Sequence, residues 1–167
     1  MPKQILLFVA LQDQLAGVEY LKPLPYIDSS RIMNWGKSYG GFMTCMAMFT
    51  TNAFKLGIAV APVTDWKNYD THYTERFLER AQENPEAYKR SASVNVASGL
   101  TGEFLLIQGV VDDNVHLQDS IKLCKELQKA NKQFGFMAYP RTTHNLTGRN
   151  VGTHWYNLMT RYIQDYL

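Results

Sequence analysis

What this sequence lacks narrows its reading first. It has two cysteines in 167 residues, Cys45 and Cys124, each set in an apolar pattern of helical spacing. Two isolated thiols argue against a disulfide scaffold and fit a reducing, cytoplasmic setting. There is no basic run: 17 Lys and Arg stand against 15 Asp and Glu, a net charge of +2. That balance leaves no electrostatic footprint for nucleic acid. Long hydrophobic runs are missing too. The nearest approach, Ile5-Leu6-Leu7-Phe8-Val9-Ala10-Leu11, is too short to span a bilayer and meets the polar Gln12-Asp13-Gln14. No small-residue cleavage site follows, so neither a membrane span nor a cleaved export signal is expected. The run reads as the first turns of a buried helix or as a strand. The sequon Asn145-Leu146-Thr147 stands without any other sign of secretion. Repeats, low-complexity tracts and linkers are also absent. Residues 1–167, 46% of them hydrophobic, read as a single domain able to bury a core.

What is present is an alternation of short apolar runs and helical stripes. Leu15, Val18 and Leu21 suit a helix ending near Pro23 and Pro25. Arg31 to Trp35 reads as a buried strand, Tyr39 to Thr51 as a helix, and Gly57 to Ala61 as a second strand. Thr64 to about Ala97 is polar, aromatic and irregular, with a helical piece from Pro85 to Arg90. Phe104 to Ile107 gives a third strand. Leu117, Ile121, Cys124 and Leu127 stripe a helix for which Asn131 is a suitable C-terminal cap. Phe134 to Tyr139 is a fourth strand, and Trp155, Met159, Tyr162 and Tyr166 stripe a last helix. Near-continuous apolar strands alternating with helices imply an α/β fold, a mostly parallel sheet flanked by helices.

One stretch carries chemistry. Gly36-Lys37-Ser38-Tyr39-Gly40 is a G-x-S-x-G sequence between a strand and a helix, with Gly41 following. A sharp strand-to-helix turn of this kind lifts a serine hydroxyl to its tip. A serine hydroxyl is a poor nucleophile until a histidine takes its proton, and that histidine needs a carboxylate to fix its tautomer. Asp112 follows the third strand and His144 follows the fourth. The order Ser, Asp, His and the placement after strands are those of α/β-hydrolases. Asp113 reads as a turn or cap residue. His72 and His154 read as surface, and His116 is a weaker rival to His144 because it precedes a helix and follows no strand. This chemistry requires no metal and no cofactor.

The chain also resembles the catalytic domain of the prolyl oligopeptidase family of serine peptidases, most closely its dipeptidyl peptidase IV branch. The resemblance rests on Leu24-Pro25-Tyr26-Ile27-Asp28, Trp35-Gly36-Lys37-Ser38-Tyr39-Gly40-Gly41 and Gly57-Ile58-Ala59-Val60-Ala61-Pro62-Val63. It continues through Tyr69-Asp70, Tyr73-Thr74-Glu75-Arg76 and Asp112-Asp113-Asn114-Val115-His116. The resemblance implies Ser38 as nucleophile, Asp112 as acid and His144 as base, with the Tyr39 backbone amide as one oxyanion donor. It implies that Val63, Trp66, Tyr69, Tyr73 and Val115 line an apolar pocket for a proline-sized side chain. Asn114 is implied to hydrogen-bond a substrate carbonyl.

The departures from that pattern shape the functional expectation. No segment reads as the family's β-propeller or as the first half of the hydrolase sheet, which supplies the tyrosine of the second oxyanion donor. Gln108 stands where a histidine is usual. Asn145 stands where glycine is usual, and asparagine tolerates a left-handed backbone. Loss of one oxyanion donor typically costs about a hundred- to a thousandfold in turnover. Activated substrates tolerate that best. The first expectation is therefore a serine hydrolase of short-chain carboxylic esters working through an acyl-enzyme. Its alternatives are a peptidase cleaving after Pro or Ala, and a silent α/β binding or assembly module. With its neighbours absent, the strand around Ile32-Met33-Asn34 is an open edge. A homodimer or higher homo-oligomer is expected to cover it, with Ile5 to Leu11 covering part.

Overall fold

The apolar runs become four strands of one parallel sheet. The computed structural model describes residues 5–167, with side chains described from residue 9 onward. In chain order the elements are α1 (Ile5–Leu21), β1 (Met33–Lys37), α2 (Tyr39–Thr50), β2 (Leu56–Val60), α3 (Thr71–Leu78) and α4 (Pro85–Arg90). They are followed by β3 (Glu103–Gly109), α5 (Leu117–Lys129), β4 (Gly135–Tyr139) and α6 (Val151–Tyr166). Single 3-10 stretches lie at Trp66–Asn68 and Ser93–Gly99. The strand order is β1-β2-β3-β4, every neighbour parallel.

Alternation along the central strands sends side chains to two covered faces. Leu56, Ile58 and Val60 of β2 join Leu105 and Ile107 of β3 and meet Trp155 and Met159 of α6. Ala59, Phe104 and Leu106 point the other way, onto Cys45, Met48 and Phe49 of α2, Leu123 and Leu127 of α5 and Val18 of α1. Burial on both faces is why β2 and β3 are apolar almost throughout. In register, Ile58 stands between Trp35 and Leu105, and Ala59 between Gly36 and Leu106.

The structure sharpens the sequence reading at these boundaries. The run from Ile5 and the stripe from Leu15 are one helix, α1, which stops just before Pro23 as the residue preceding a proline leaves the helical region. Strand β1 starts at Met33 and continues through Gly36 and Lys37, because Trp35, Gly36 and Lys37 pair with Ile58, Ala59 and Val60. Helix α5 is capped at Ala130, and Asn131 is the left-handed residue after the cap, with φ 54°. The amides of Asn131 and Lys132 close that turn on the carbonyls of Gln128 and Leu127.

Candidate active site

The site is assembled at the carboxyl ends of β1, β3 and β4, where parallel sheets present their loops. Ser38 is the single residue between β1 and α2, held at φ 58° and ψ −117°. A non-glycine residue held there carries strain of about 1–3 kcal/mol and persists only when its surroundings enforce it. Here they do. A Cβ on Gly36 would lie 2.4 Å from the Gly40 backbone, and one on Gly41 would lie 2.8 Å from the Val60 carbonyl. The Ser38 amide donates to that same Val60 carbonyl at 2.8 Å. Gly40, by contrast, has open space around it, so Gly36 and Gly41 are the glycines this turn requires. The Tyr39 amide is the first of α2, at the positive end of the helix.

Asp112 lies beyond β3 and is buried. Its Oδ1 accepts the backbone amides of Asn114 (3.0 Å) and Val115 (2.9 Å). Its Oδ2 accepts His144 Nδ1 at 2.8 Å and Gln108 Nε2 at 3.0 Å. His144 is half-buried on the loop after β4. With Nδ1 engaged by Asp112, Nε2 is the nitrogen left for a serine hydroxyl.

The histidine loop is tied down residue by residue. Thr142 Oγ1 donates to the Tyr139 carbonyl at 2.7 Å, and the Val111 amide donates to the Thr142 carbonyl at 3.1 Å. The Leu146 amide closes a turn on the Thr143 carbonyl at 3.0 Å, and the Leu146 side chain is fully buried against Trp155 and Met159. Left-handed backbone occurs in this loop at Arg141, with φ 57°, and at Leu146, with φ 51°, and not at Asn145. Asn145 instead accepts Lys37 Nζ on its Oδ1 at 3.3 Å, which links the loop to the turn carrying Ser38. The Asp112 and His144 loops approach so closely at Gly109 that a Cβ there would meet the Thr142 and Thr143 carbonyls at 2.6 and 2.7 Å.

Beside the serine lies a small cavity of about 130 Å³, lined by Ser38, Tyr39, Val63, Trp66, Tyr69 and Tyr73. Trp66 stacks on Tyr73 at 5.9 Å, and both present edges or faces to Tyr69 in T-shaped contacts. Burial raises the pKa of Tyr39, Tyr69 and Tyr73, so these phenols remain neutral. Val115 is the exception among the expected pocket residues. It is buried in the cluster with Val63 and Trp66, behind the cavity wall and not on it. Tyr69 donates its hydroxyl to Asn114 Oδ1 at 2.9 Å, which directs the Asn114 amide nitrogen elsewhere as a donor.

The remaining histidines fall outside this arrangement. His116 is exposed at the N-cap of α5, His72 is exposed on α3, and His154 on α6 meets the Tyr139 hydroxyl at 2.8 Å. Neither cysteine competes as nucleophile: burial pushes Cys45 strongly up and Cys124 to about 11. The site also holds residues that sequence reasoning left without a role. Asp119 of α5, buried, accepts Asn68 Nδ2 at 2.6 Å and the Thr64 amide at 3.3 Å, pinning the loop that carries Val63, Trp66 and Tyr69. Gln108 and Ser120 form a second buried pair behind Asp112. The signal that could have found them was polarity at buried positions of β3 and α5.

A family model described as the prolyl oligopeptidase family matches residues 9–167. The chain belongs to the prolyl oligopeptidase family. It is 39% identical to a probable dipeptidyl-aminopeptidase B of Neurospora crassa over 90% of its own length, and 39% identical to human prolyl endopeptidase FAP over 93%. A crystal structure of Porphyromonas gingivalis dipeptidyl peptidase 4 superposes with a TM-score of 0.94 and 42% identity, covering 97% of this chain. The parallel sheet with its flanking helices is thus the α/β-hydrolase-like fold of the prolyl oligopeptidase family. The chain spans 17% to 23% of the length of these three proteins.

Proposed function

We propose that this chain carries the acyl-enzyme chemistry of a serine peptidase that cleaves after a small side chain, proline or alanine. The observation that carries the reading is the aromatic-walled cavity opening on Ser38 itself. Its volume of about 130 Å³ is well below the roughly 300 Å³ of a drug-sized site. It suits a pyrrolidine ring or a methyl group. Membership of a family whose matched relatives bear aminopeptidase and prolyl endopeptidase names supports the same order. The peptidase reading therefore stands ahead of the ester reading that sequence alone placed first.

In the proposed cycle, His144 Nε2 takes the Ser38 hydroxyl proton as Oγ bonds to the substrate carbonyl carbon. The Tyr39 amide receives the developing oxyanion. Asp112 keeps the proton on Nδ1 and stabilises the imidazolium, which then protonates the leaving amine. Water repeats the sequence on the acyl-Ser38 ester and releases the acid. In the same proposal the Asn114 amide nitrogen, with its oxygen engaged by Tyr69, donates to a further substrate carbonyl.

The test combines a serine-directed fluorophosphonate with two chromogenic substrates, a Gly-Pro anilide and a nitrophenyl acetate. Labelling of the wild type and none of Ser38→Ala is expected, with kcat/KM for the anilide falling to background in the variant. Turnover of the acetate alone would return the ester reading to first place. A wild type that takes no label would leave a silent module.

A further inference from the structure

Gln108 is a polar side chain in the middle of a core, and every atom of its amide is used. It is fully buried on β3. Its Nε2 donates to Asp112 Oδ2 and to the Val115 carbonyl, both at 3.0 Å, and lies 3.3 Å from the Gly109 carbonyl. Its Oε1 accepts the buried Ser120 hydroxyl of α5 at 2.9 Å. Oxygens at one end and a hydroxyl donor at the other dictate which end is nitrogen. Among the described residues, the only side chains that donate to Asp112 are thus His144 and Gln108, and both use Oδ2.

We infer that Gln108 is a positioning residue for the acid–base pair: its amide orients the Asp112 carboxylate and sets the basicity that His144 feels, with Ser120 holding the amide in register. Three consequences of the geometry support this. A buried carboxylate needs donors, and a neutral donor supplies one without adding charge. Each donor on Oδ2 withdraws charge from the oxygen facing His144, so removing one changes how that oxygen holds the ring. The Val115 carbonyl, bound by the same nitrogen, lies in the turn whose amides grip Asp112 Oδ1. Gln108 therefore fixes both ends of the carboxylate, one directly and one through its turn. The other charged and titratable groups near the pair are Lys37, which reaches Asn145, and Tyr69, which reaches Asn114. Asp113 and His116 flank it on the exposed side of the loop. None of them changes in the test.

The inference rests on the proposed acid–base role of Asp112 and His144, and the readout is chosen to separate the two. NMR titration of the His144 ring, assigned among the four histidines by its loss in His144→Gln, needs no turnover. Gln108→Met removes the donor at similar shape. The ring titration is expected to move upward relative to the wild type as Oδ2 regains charge. Acylation on the alkaline plateau of the rate profile is expected to slow about ten- to a hundredfold as the imidazole loses its alignment. Ser120→Ala should shift the ring the same way by a smaller amount, and the double variant should shift no further than Gln108→Met alone. A folded Gln108→Met with an unchanged His144 titration would overturn the inference and leave Gln108 a packing residue. If Gln108→Met does not fold, an unmoved ring in Ser120→Ala has the same force. A shifted ring in a chain that turns over no substrate would sink the proposed function and leave this inference standing.

Discussion

Asp112 accepts four hydrogen bonds, and only one comes from His144. That count predicts how Asp112→Asn fails. The two backbone amides at Oδ1 demand an oxygen, so the new NH₂ group falls at Oδ2, facing His144 Nδ1 and Gln108 Nε2. Donor then opposes donor. His144 resolves the clash by moving its proton to Nε2, the tautomer that cannot accept from Ser38. A loss of about 10⁴ in kcat is expected, as for the same change in other triads. Gln108 loses its charged acceptor and is left with the Val115 and Gly109 carbonyls, which should cost about 1–3 kcal/mol of stability. Steady-state kinetics and denaturant melts of one variant check both; lost activity at unchanged stability would refute the Gln108 part. Ser38, Asp112 and His144 were legible as candidates because each follows a strand in a fixed order. The Gln108–Ser120 pair was not, since a buried polar residue on a strand reads as a mere departure until its partner on another element is known.

Asp119 ties the pocket loop to pH. Burial raises its carboxyl pKa, against the lowering effect of hydrogen bonds from Asn68 and Thr64. A carboxyl with a higher pKa folded than unfolded holds its proton more tightly in the native state. Its stabilising contribution is complete below the ordinary carboxylate pKa and is lost as pH rises through the folded value. The stability margin of the wild type over Asp119→Asn should therefore shrink from acid toward neutral pH in urea denaturation. A margin that grows with pH would mean that the hydrogen bonds outweigh burial.

At the level of elements, the site depends on close backbone approaches that only glycine permits. Gly109→Ala puts a methyl group 2.6 Å from the Thr142 carbonyl, and backbone has no rotamer with which to yield. The Asp112 and His144 loops must part, so stability should fall by about 1–3 kcal/mol and activity should fall with it. Gly40→Ala is the contrasting case, with nothing within 4 Å of the added Cβ. It should be neutral or stabilising by up to about 1 kcal/mol, as expected for glycine replaced in a helix. Thermal melts of the pair check the contrast, and equal losses would refute it. The turn around Ser38 was legible because its strain demands small neighbours, yet the motif alone could not rank Gly36 above Gly40. The apolar run of α1 left helix and strand open, because a short apolar stretch has no diagnostic period. Its side chains decide: Leu11, Leu15 and Val18, at helical spacing, pack on one core.

At the scale of the whole sheet, the edge formed by β1 is the more exposed of two, with Trp35 open to solvent. Among the described residues strand β1 pairs only with β2, so there its outer edge offers unpaired backbone N–H and C=O groups. Trp35 on that strand is 51% exposed although its register neighbour Ile58 is fully buried. Helix α1 reaches the edge through Asn34 Nδ2 and Gln14 Oε1, at 3.3 Å, and packs chiefly on α2. A helix there covers side chains and leaves the backbone ladder open. A flat edge carrying a large exposed ring is a template for another strand. The 167-residue chain on its own is therefore expected to self-associate, and a two-fold dimer is the favoured closed form. Light scattering during size-exclusion chromatography should give a mass above 19.1 kDa that falls on dilution. Trp35→Lys places a charge on the edge and should shift the chain toward monomer without touching the Ser38 turn. A wild type that stays a stable monomer at micromolar concentration would show that α1 covers the edge well enough alone. A dimer indifferent to Trp35→Lys would place the contact elsewhere, leaving β4, the opposite edge of the sheet, as the next strand to charge.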